Sequence, residues 1–190
     1  MINFTTYTKE NAPEGSREIL SNVLERMKFI PNLMGKMAES PVALQAYLSL
    51  SELLKNSSFT SAQQQIIMLV ISLENGCTYC VAAHSMSAKH ANVTDDIIEA
   101  LRQGQHLQDA KLEGLRQFVQ AVVRDRGMLK EDRLQAFIDL GYSKANILDV
   151  ILAAAMKTIS NYANHIMHPE LDSSMQAYKW ERLKLYPSCL

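Results

Sequence analysis

The stretch TSAQQQIIMLVISLENGCTYCVAAHS, residues 60–85, joins an apolar run to two of the chain's three cysteines. Thr60 and the glutamine three residues later form a capping-box pattern, which predicts that the apolar run is a helix rather than a buried strand. Asn75-Gly76 ends this helix, because both residues tolerate the left-handed conformation. A second helix is expected from about residue 77 to 89. The stretch therefore predicts two consecutive helices with the cysteines at the start of the second.

Outside this stretch, apolar residues recur at intervals of three and four, which places them on one face of a helix. Ser40, Thr94 and Ser143 are typical caps of helix starts, and glycines are typical of helix ends. The predicted helices cover residues 14–27, 41–55, 95–102, 107–126, 129–140 and 144–166.

Three segments do not fit the helical pattern. Residues 1–9 lack a helical period, and the tail from 175 to 190 is mixed. In residues 30–40 the pattern breaks, because Pro31 forces the residue before it away from the α region. We find no linker, low-complexity segment or internal repeat. The sequence therefore predicts a single all-α domain over residues 1–190.

The composition argues against several classes of function. The 190 residues carry a formal net charge of −1, with acidic and basic residues interspersed. No basic stripe favours nucleic acid, and no polybasic cluster favours a membrane surface. The longest apolar run, residues 66–71, is too short to span a bilayer, and the first ten residues show no secretory signal. We therefore expect a cytoplasmic protein without nucleic-acid or membrane partners.

The two cysteines lie where a helix makes thiols reactive. Free backbone N–H groups and the positive end of the helix dipole stabilise a thiolate at Cys77 and Cys80. Residues three apart in a helix are neighbours, so the two sulfurs can approach bonding distance. His84 lies on the same face four residues after Cys80, where an imidazole can accept the thiol proton. The array predicts a dithiol in which Cys80 attacks and Cys77 closes the disulfide.

Other interpretations of the pair stay open. A buried cysteine is often only a small apolar residue. A structural zinc ion normally takes four ligands, and His90 would complete a set with Cys77, Cys80 and His84. Its spacing, however, points it to a different face of the helix. A thioredoxin-type pair would lie within a βαβ pattern, which the sequence lacks.

Three stretches carry a resemblance to a known family. They are ENGCTYCVAAHS (residues 74–85), FIPNLMGKMAESP (residues 29–41) and NYANHI (residues 161–166). With them the chain resembles the AhpD-like (alkylhydroperoxidase D-like) branch of the carboxymuconolactone decarboxylase family. The resemblance implies an all-α helical bundle that oligomerises through its helices, commonly as a trimer or hexamer.

The resemblance also implies thiol-dependent reduction of hydroperoxides. In that mechanism Cys80 is the peroxidatic residue, Cys77 resolves, and His84 belongs to a proton relay. The electrons would come from a dithiol, such as a lipoyl group or a thioredoxin-like protein. No metal and no cofactor are expected.

Two positions depart from the family's pattern. Gln65 stands where well-studied members have a relay glutamate, and Tyr79 stands where they have a histidine. An amide cannot carry a proton at neutral pH, so Glu74 is considered as a substitute acid, and His165 and Tyr162 as further site residues. The incomplete relay leaves two alternatives to a peroxidase. One is a redox-sensing or disulfide-exchange module, and the other is a zinc-binding helical protein.

Overall fold

The computed structural model describes residues 2–181, which fold into nine α-helices and one short 3-10 helix without a β-strand. The α-helices are α1 (Glu14–Met27), α2 (Asn32–Met37), α3 (Pro41–Lys55), α4 (Ser61–Glu74), α5 (Thr78–His90), α6 (Asp95–Arg102), α7 (Ala110–Arg124), α8 (Glu131–Asp139) and α9 (Lys144–Met167), and the 3-10 helix covers Ser173–Tyr178. The predicted all-α single-domain fold is confirmed. Every helix in the described residues is too short or too polar to traverse a bilayer. Cys189 lies outside the described residues.

Local sequence signals set the main helix starts. The Thr60 hydroxyl accepts a hydrogen bond from the Gln63 N–H at 3.2 Å, and the Gln63 side chain accepts one from the Thr60 N–H at 3.0 Å. Ser143 and Asn146 form the same reciprocal pair at the start of α9. These bonds satisfy N–H groups that have no partner inside the helix. The predicted starts of α4 and α9 are therefore confirmed.

The break in the helical pattern at residues 30–40 left a short helix unpredicted. Pro31 occupies the N-cap position, and α2 begins directly after it. A proline restricts the residue before it and leaves the following residues free to be helical. α2 buries Leu33 and Met37. This packing supports a helix that is too short to be stable alone.

Long-range hydrogen bonds shape the described part of the tail. The Arg102 guanidinium donates to the carbonyl oxygens of Tyr178 and Lys179 at 2.9 and 3.0 Å. The Trp180 indole N–H donates to the Arg102 carbonyl at 3.2 Å. Hydrogen bonds between residues far apart in the chain produce no helical periodicity in the sequence. The tail therefore showed no clear secondary-structure pattern.

The helix α4 is the centre of the core. Its residues 66–71 are all buried, because α5, α7 and α9 pack around it. The apolar run is therefore a helix surrounded by other helices, as predicted. At one end of this core the ring of Phe137 stacks between Phe118 and Tyr142, with centroid distances of 3.9 and 4.3 Å. The cysteines belong to a second apolar cluster, which α1 and α2 complete.

Candidate active site

The turn between α4 and α5 places both cysteines. Gly76 has a φ of +66°, a left-handed conformation that favours glycine. Cys77 is the N-cap residue of α5 and Cys80 lies in its first turn, as predicted. Both are free thiols, with only 1% and 3% of their surfaces exposed. The pair therefore sits where N–H groups of the helix start are available, but within the protein interior.

The opposite wall of the site is a polar face of α9 that the sequence reasoning overlooked. Its buried members are Lys157, Ser160, Asn161 and Asn164. They recur at i, i+3, i+4 and i+7, which puts them on one side of the helix. This spacing of polar residues within an apolar helix was the available signal. The NYANHI stretch singled out for its resemblance contains two of the four.

Two members of this face contact the sulfurs directly. Asn164 Nδ2 lies 3.1 Å from Cys80 Sγ and 3.5 Å from Cys77 Sγ. Ser160 Oγ lies 4.0 Å from Cys80 Sγ. Asn161 is held by the Asn75 side chain, which donates to its oxygen at 2.8 Å. The amide groups therefore present N–H donors, which favour a thiolate over a thiol.

A line of hydrogen bonds runs through His84. Its Nδ1 lies 3.1 Å from Gln65 Oε1, and its Nε2 lies 2.8 Å from Lys157 Nζ. Lys157 Nζ as an ammonium can only donate, and Gln65 Oε1 can only accept. The imidazole therefore carries its proton on Nδ1 and accepts at Nε2. Burial, and then the charge of Lys157, lower the pKa of His84 well below its usual value, so the ring is neutral near pH 7.

The electrostatics separate the two thiols. Burial opposes ionisation of Cys80, but the hydrogen bond from Cys77, the charge and hydrogen bond of Lys157 and the Asn161 amide outweigh it. Together they lower the pKa of Cys80 to about 5. The bond that Cys77 gives to Cys80, its burial and the neighbouring thiolate charge raise the pKa of Cys77. The site therefore holds one thiolate beside one protonated thiol.

A cavity of about 620 Å³ opens onto this site between α1, α3, α4 and α5. Cys80, His84 and Gln65 line it, whereas Cys77 and Lys157 do not. Much of the wall is apolar, and six methionines contribute to it: Met27, Met34, Met68, Met86, Met156 and Met175. A small molecule in the cavity thus meets one sulfur of the pair.

Tyr79 has a structural role beside the site. Its hydroxyl donates to the Asp172 carboxylate and accepts from the Leu33 N–H at 3.4 Å. Burial and the adjacent carboxylate raise the pKa of Tyr79. The residue ties α5 to α2 and to the segment before the 3-10 helix, and at neutral pH it stays protonated.

The structure brings Cys77, Cys80, His84 and Gln65 together, but not the other predicted site residues. His165 and Tyr162 are exposed, since the neighbouring Asn164 is the residue of α9 that faces the sulfurs. His90 lies exposed at the far end of α5. In residues 2–181 no three His, Cys, Asp or Glu side chains are grouped closely enough to hold a metal ion.

Glu74 is engaged elsewhere. Its carboxylate accepts from Gln120 Nε2 at 2.8 Å and from Arg124 Nε and Nη2 at 2.6 and 3.0 Å. These bonds join α4 to α7, and none of the three residues lines the cavity. Glu74 therefore does not take the place of the missing relay acid.

Replacing Glu74 with glutamine should affect stability and leave the thiol chemistry unchanged. The Glu74 side chain is 6% exposed, whereas Arg124 is 55% exposed and stays solvated without its partner. We expect the free energy of unfolding to fall by about 1 kcal/mol, as measured by urea denaturation. The rate of Cys80 oxidation should not change. Slower oxidation of Cys80 in a folded Glu74→Gln protein would show that Glu74 takes part in the thiol chemistry.

The fold and the site together define an all-α protein with a buried CxxC pair at the start of a helix. Residues 41–116 match the model of the carboxymuconolactone decarboxylase family. This segment contains α4, α5 and both cysteines. Together with the shared fold described next, the match confirms the resemblance to the AhpD-like branch of that family. No curated protein matches the sequence.

Solved structures share the fold at low sequence identity. One is an alkylhydroperoxidase AhpD core, an uncharacterized peroxidase-related protein from Ralstonia eutropha JMP134. It has a TM-score of 0.81 at 17% identity, over 91% of this chain and 93% of that one. A peroxidase-related protein from Silicibacter sp. TM1040 gives 0.77 at 17%, over 92% of each chain. The debrominase Bmp8, in its C82A form with 2,3,4-tribromopyrrole, gives 0.77 at 16%, over 94% of this chain and 96% of that one.

Proposed function

We propose that this protein is a thiol-dependent peroxidase that reduces organic hydroperoxides with Cys80 and Cys77. The observation that carries the proposal is that Cys80 alone of the pair lines the apolar cavity, while Asn164 donates to its sulfur from behind. A thiolate, not a thiol, is the nucleophile. The sulfur open to the cavity is the one whose pKa is lowered to about 5.

In the first step, the Cys80 thiolate attacks one oxygen of the hydroperoxide. An S–O bond forms as the O–O bond breaks, which gives a Cys80 sulfenic acid and an alkoxide that takes up a proton. The thiolate supplies the electron pair, so the sulfur is oxidised and the peroxide is reduced to an alcohol. The apolar wall of the cavity holds the apolar part of the peroxide.

In the second step, Cys77 attacks the sulfenic sulfur and water leaves. Cys77 is three residues from Cys80 on the same turn, and Asn164 Nδ2 lies within 3.5 Å of both sulfurs. This proximity makes the disulfide faster than further oxidation. A dithiol such as a lipoyl group or a thioredoxin-like protein then restores the pair. The cytoplasm, which keeps such dithiols reduced, is the proposed setting.

The test follows both cysteines after a short exposure of the reduced protein to tert-butyl hydroperoxide. Stopped-flow measures the rate, and peptide mass spectrometry identifies the bond that forms. We expect a Cys77–Cys80 disulfide within seconds, reversed by a dithiol. A disulfide that forms only as slowly as in an unfolded control peptide would exclude the peroxidase. Rapid exchange with a disulfide substrate would then favour the redox-sensing or disulfide-exchange alternative.

Reductive dehalogenation is a second candidate. The same thiolate could attack a halogen of an apolar aromatic compound, so that an S–halogen bond forms as the carbon–halogen bond breaks and the carbon takes up a proton. Cys77 then attacks the Cys80 sulfur, and halide and a proton leave as the disulfide forms. Two observations favour it: the largely apolar cavity at Cys80 and the fold shared with a debrominase. Release of halide from a brominated pyrrole, in step with disulfide formation, would support this activity. Disulfide formation with the hydroperoxide alone would exclude it.

Oligomerisation through α9 is also proposed. Opposite its polar face, the helix exposes a stripe of largely apolar residues at intervals of three and four: Leu148, Ile151, Ala155, Thr158, Tyr162 and Ile166. Four of these are large apolar residues that are at least 49% exposed. Such a stripe is typical of a helix that packs on a partner helix. A trimer or hexamer that pairs α9 with a second copy would cover it.

Charging this stripe should dissociate the assembly. We expect light scattering to give a mass several times 21.4 kDa for the wild-type protein. The Leu148→Glu/Ile151→Glu variant should give the monomer mass, because a carboxylate cannot be buried unpaired in an apolar interface. Met128→Glu is the matched control, since Met128 is 78% exposed outside the helix. Equal masses for wild type and the double variant would contradict this interface.

A further inference from the structure

Lys157 is a cation that is buried in the protein interior without a carboxylate partner among the described residues. Its surface is 0% exposed, and within residues 2–181 no carboxylate lies within ion-pair distance of its ammonium. An unpaired charge is costly inside a protein. The anion that faces Lys157 is the Cys80 thiolate. The reduced site is therefore neutral overall, with one thiolate and one ammonium.

Oxidation removes that anion. Once Cys80 becomes a sulfenic acid or a disulfide, its sulfur carries no negative charge. Lys157 would then be an ammonium without a counter-ion in the interior. A charge without a counter-ion is costly inside a protein. The first step therefore favours loss of a proton from Lys157. In the same step the alkoxide must take up a proton.

The hydrogen-bond line provides a route for this proton. Lys157 does not reach the cavity, but its Nζ lies 2.8 Å from Nε2 of His84, which does. The other ring nitrogen, Nδ1, carries the proton of the neutral ring and donates it to Gln65 Oε1, which lies 3.1 Å away at the cavity wall. An imidazole can accept a proton at one nitrogen and release another from the opposite one. Gln65 keeps the ring in the orientation that this transfer needs.

We propose that Lys157 stores the proton that the peroxide reaction consumes, delivers it through His84 to the leaving alkoxide, and recovers it when the disulfide is reduced. This inference rests on the proposed peroxidase function. Lys157 is the acid of the cycle in a site whose Gln65 cannot titrate. The device couples the charge of a buried lysine to the redox state of the dithiol.

The atoms and charges of the cycle balance. A Cys80 thiolate, a Cys77 thiol, a hydroperoxide and a Lys157 ammonium give a disulfide, an alcohol, water and a neutral Lys157 amine. The dithiol loses two electrons and the O–O bond gains them. Reduction of the disulfide by an external dithiol then returns one proton to Cys77 and one to Lys157. No proton enters from solvent during the oxidation.

The groups around the ammonium are consistent with this assignment. α5 contributes Cys77, Cys80 and His84, and α4 contributes the uncharged Gln65. From α3, Tyr47 lines the cavity. Burial, and then the charges of the two cysteines, raise the pKa of Tyr47, so its hydroxyl stays protonated near pH 7.

The test counts protons in a single turnover. Reduced protein in weak buffer with a pH indicator is mixed with one equivalent of tert-butyl hydroperoxide near pH 7. Ultraviolet absorbance of the thiolate reports its loss, and mass spectrometry confirms the disulfide. We expect about one thiolate lost with almost no proton taken from solvent. Uptake of about one proton per thiolate would overturn the proposal, and so would a reduced protein without a thiolate.

Two variants assign the donor. Lys157→Arg keeps the positive charge but cannot release a proton, so about one solvent proton should be consumed for each thiolate lost. His84→Ala should slow thiolate loss by about 10- to 100-fold, and added imidazole should restore much of the rate. Solvent uptake in Lys157→Arg equal to that in the wild type would exclude Lys157 as the donor. If that variant does not fold, failure of imidazole to rescue a folded His84→Ala protein would exclude the route.

The outcomes separate this inference from the proposed function. If no disulfide forms with the hydroperoxide, the peroxidase itself is excluded. If the disulfide forms rapidly while solvent supplies the proton, the peroxidase stands and the role of Lys157 as its proton store is wrong.

Discussion

Replacing Cys80 with serine is expected to reduce peroxide-dependent oxidation of a dithiol by at least about a thousandfold. Removal of a covalent nucleophile typically has an effect of this size. A serine hydroxyl is not ionised near pH 7, and within residues 2–181 the cavity offers no second thiol, because Cys77 does not line it. The rate is measured by stopped-flow with tert-butyl hydroperoxide and a lipoyl-type dithiol. An unchanged rate in the Cys80→Ser protein would exclude the assigned chemistry.

Cys77→Ser is the matched control for this experiment. It leaves the attacking sulfur in place, so the first equivalent of peroxide should still be reduced and should leave a sulfenic acid on Cys80. Turnover should stop there, because no resolving thiol remains. A dithiol that reacts directly with the sulfenic acid would restore slow turnover. Loss of the first step in this variant would mean that the two cysteines do not have separate roles.

Replacing Lys157 with methionine is expected to move the ionisation midpoint of Cys80 from about 5 upward by several pH units, to or above the ordinary value for a cysteine. The ammonium is a major favourable influence on the thiolate, and burial then acts with less opposition. Because the wild-type pKa lies below the ordinary value, the wild-type thiolate forms above about pH 5. In the Lys157→Met protein, the Cys80 thiol should stay protonated through neutral pH.

The midpoint is measured as the pH dependence of Cys80 alkylation, followed by peptide mass spectrometry so that other thiols do not contribute. The complete pH profile is needed, since a thiolate of higher pKa is also a stronger nucleophile and partly compensates in rate at a single pH. Methionine has a similar volume and removes a buried charge together with its counter-ion, so the fold should persist. Lys89→Met is the control, because Lys89 is exposed and pairs with Asp95. A midpoint unchanged by Lys157→Met would contradict the thiolate–ammonium pair.

Much of the fold could be predicted from the sequence because its signals are local. A capping box depends on four consecutive residues, so Thr60 and Ser143 could be recognised as helix starts. Position within a helix turn is also local, which is why Cys77, Cys80 and His84 could be placed together. The short helix α2 was missed since its stability comes from burial against other helices rather than from its own six residues.

The sequence by itself thus determined an all-α chain with a dithiol at a helix start and an imidazole one turn later. The tertiary structure decided which groups complete the site. Lys157 and Asn164 are 73 and 84 residues from their partners His84 and Cys80, and the register between α5 and α9 that brings them together has no local signal. Only packing could show that Asn164 faces the sulfurs while His165 faces outward. The physical reason is that helical periodicity fixes the face on which a side chain lies, whereas the neighbour that it meets depends on how all the helices share one core.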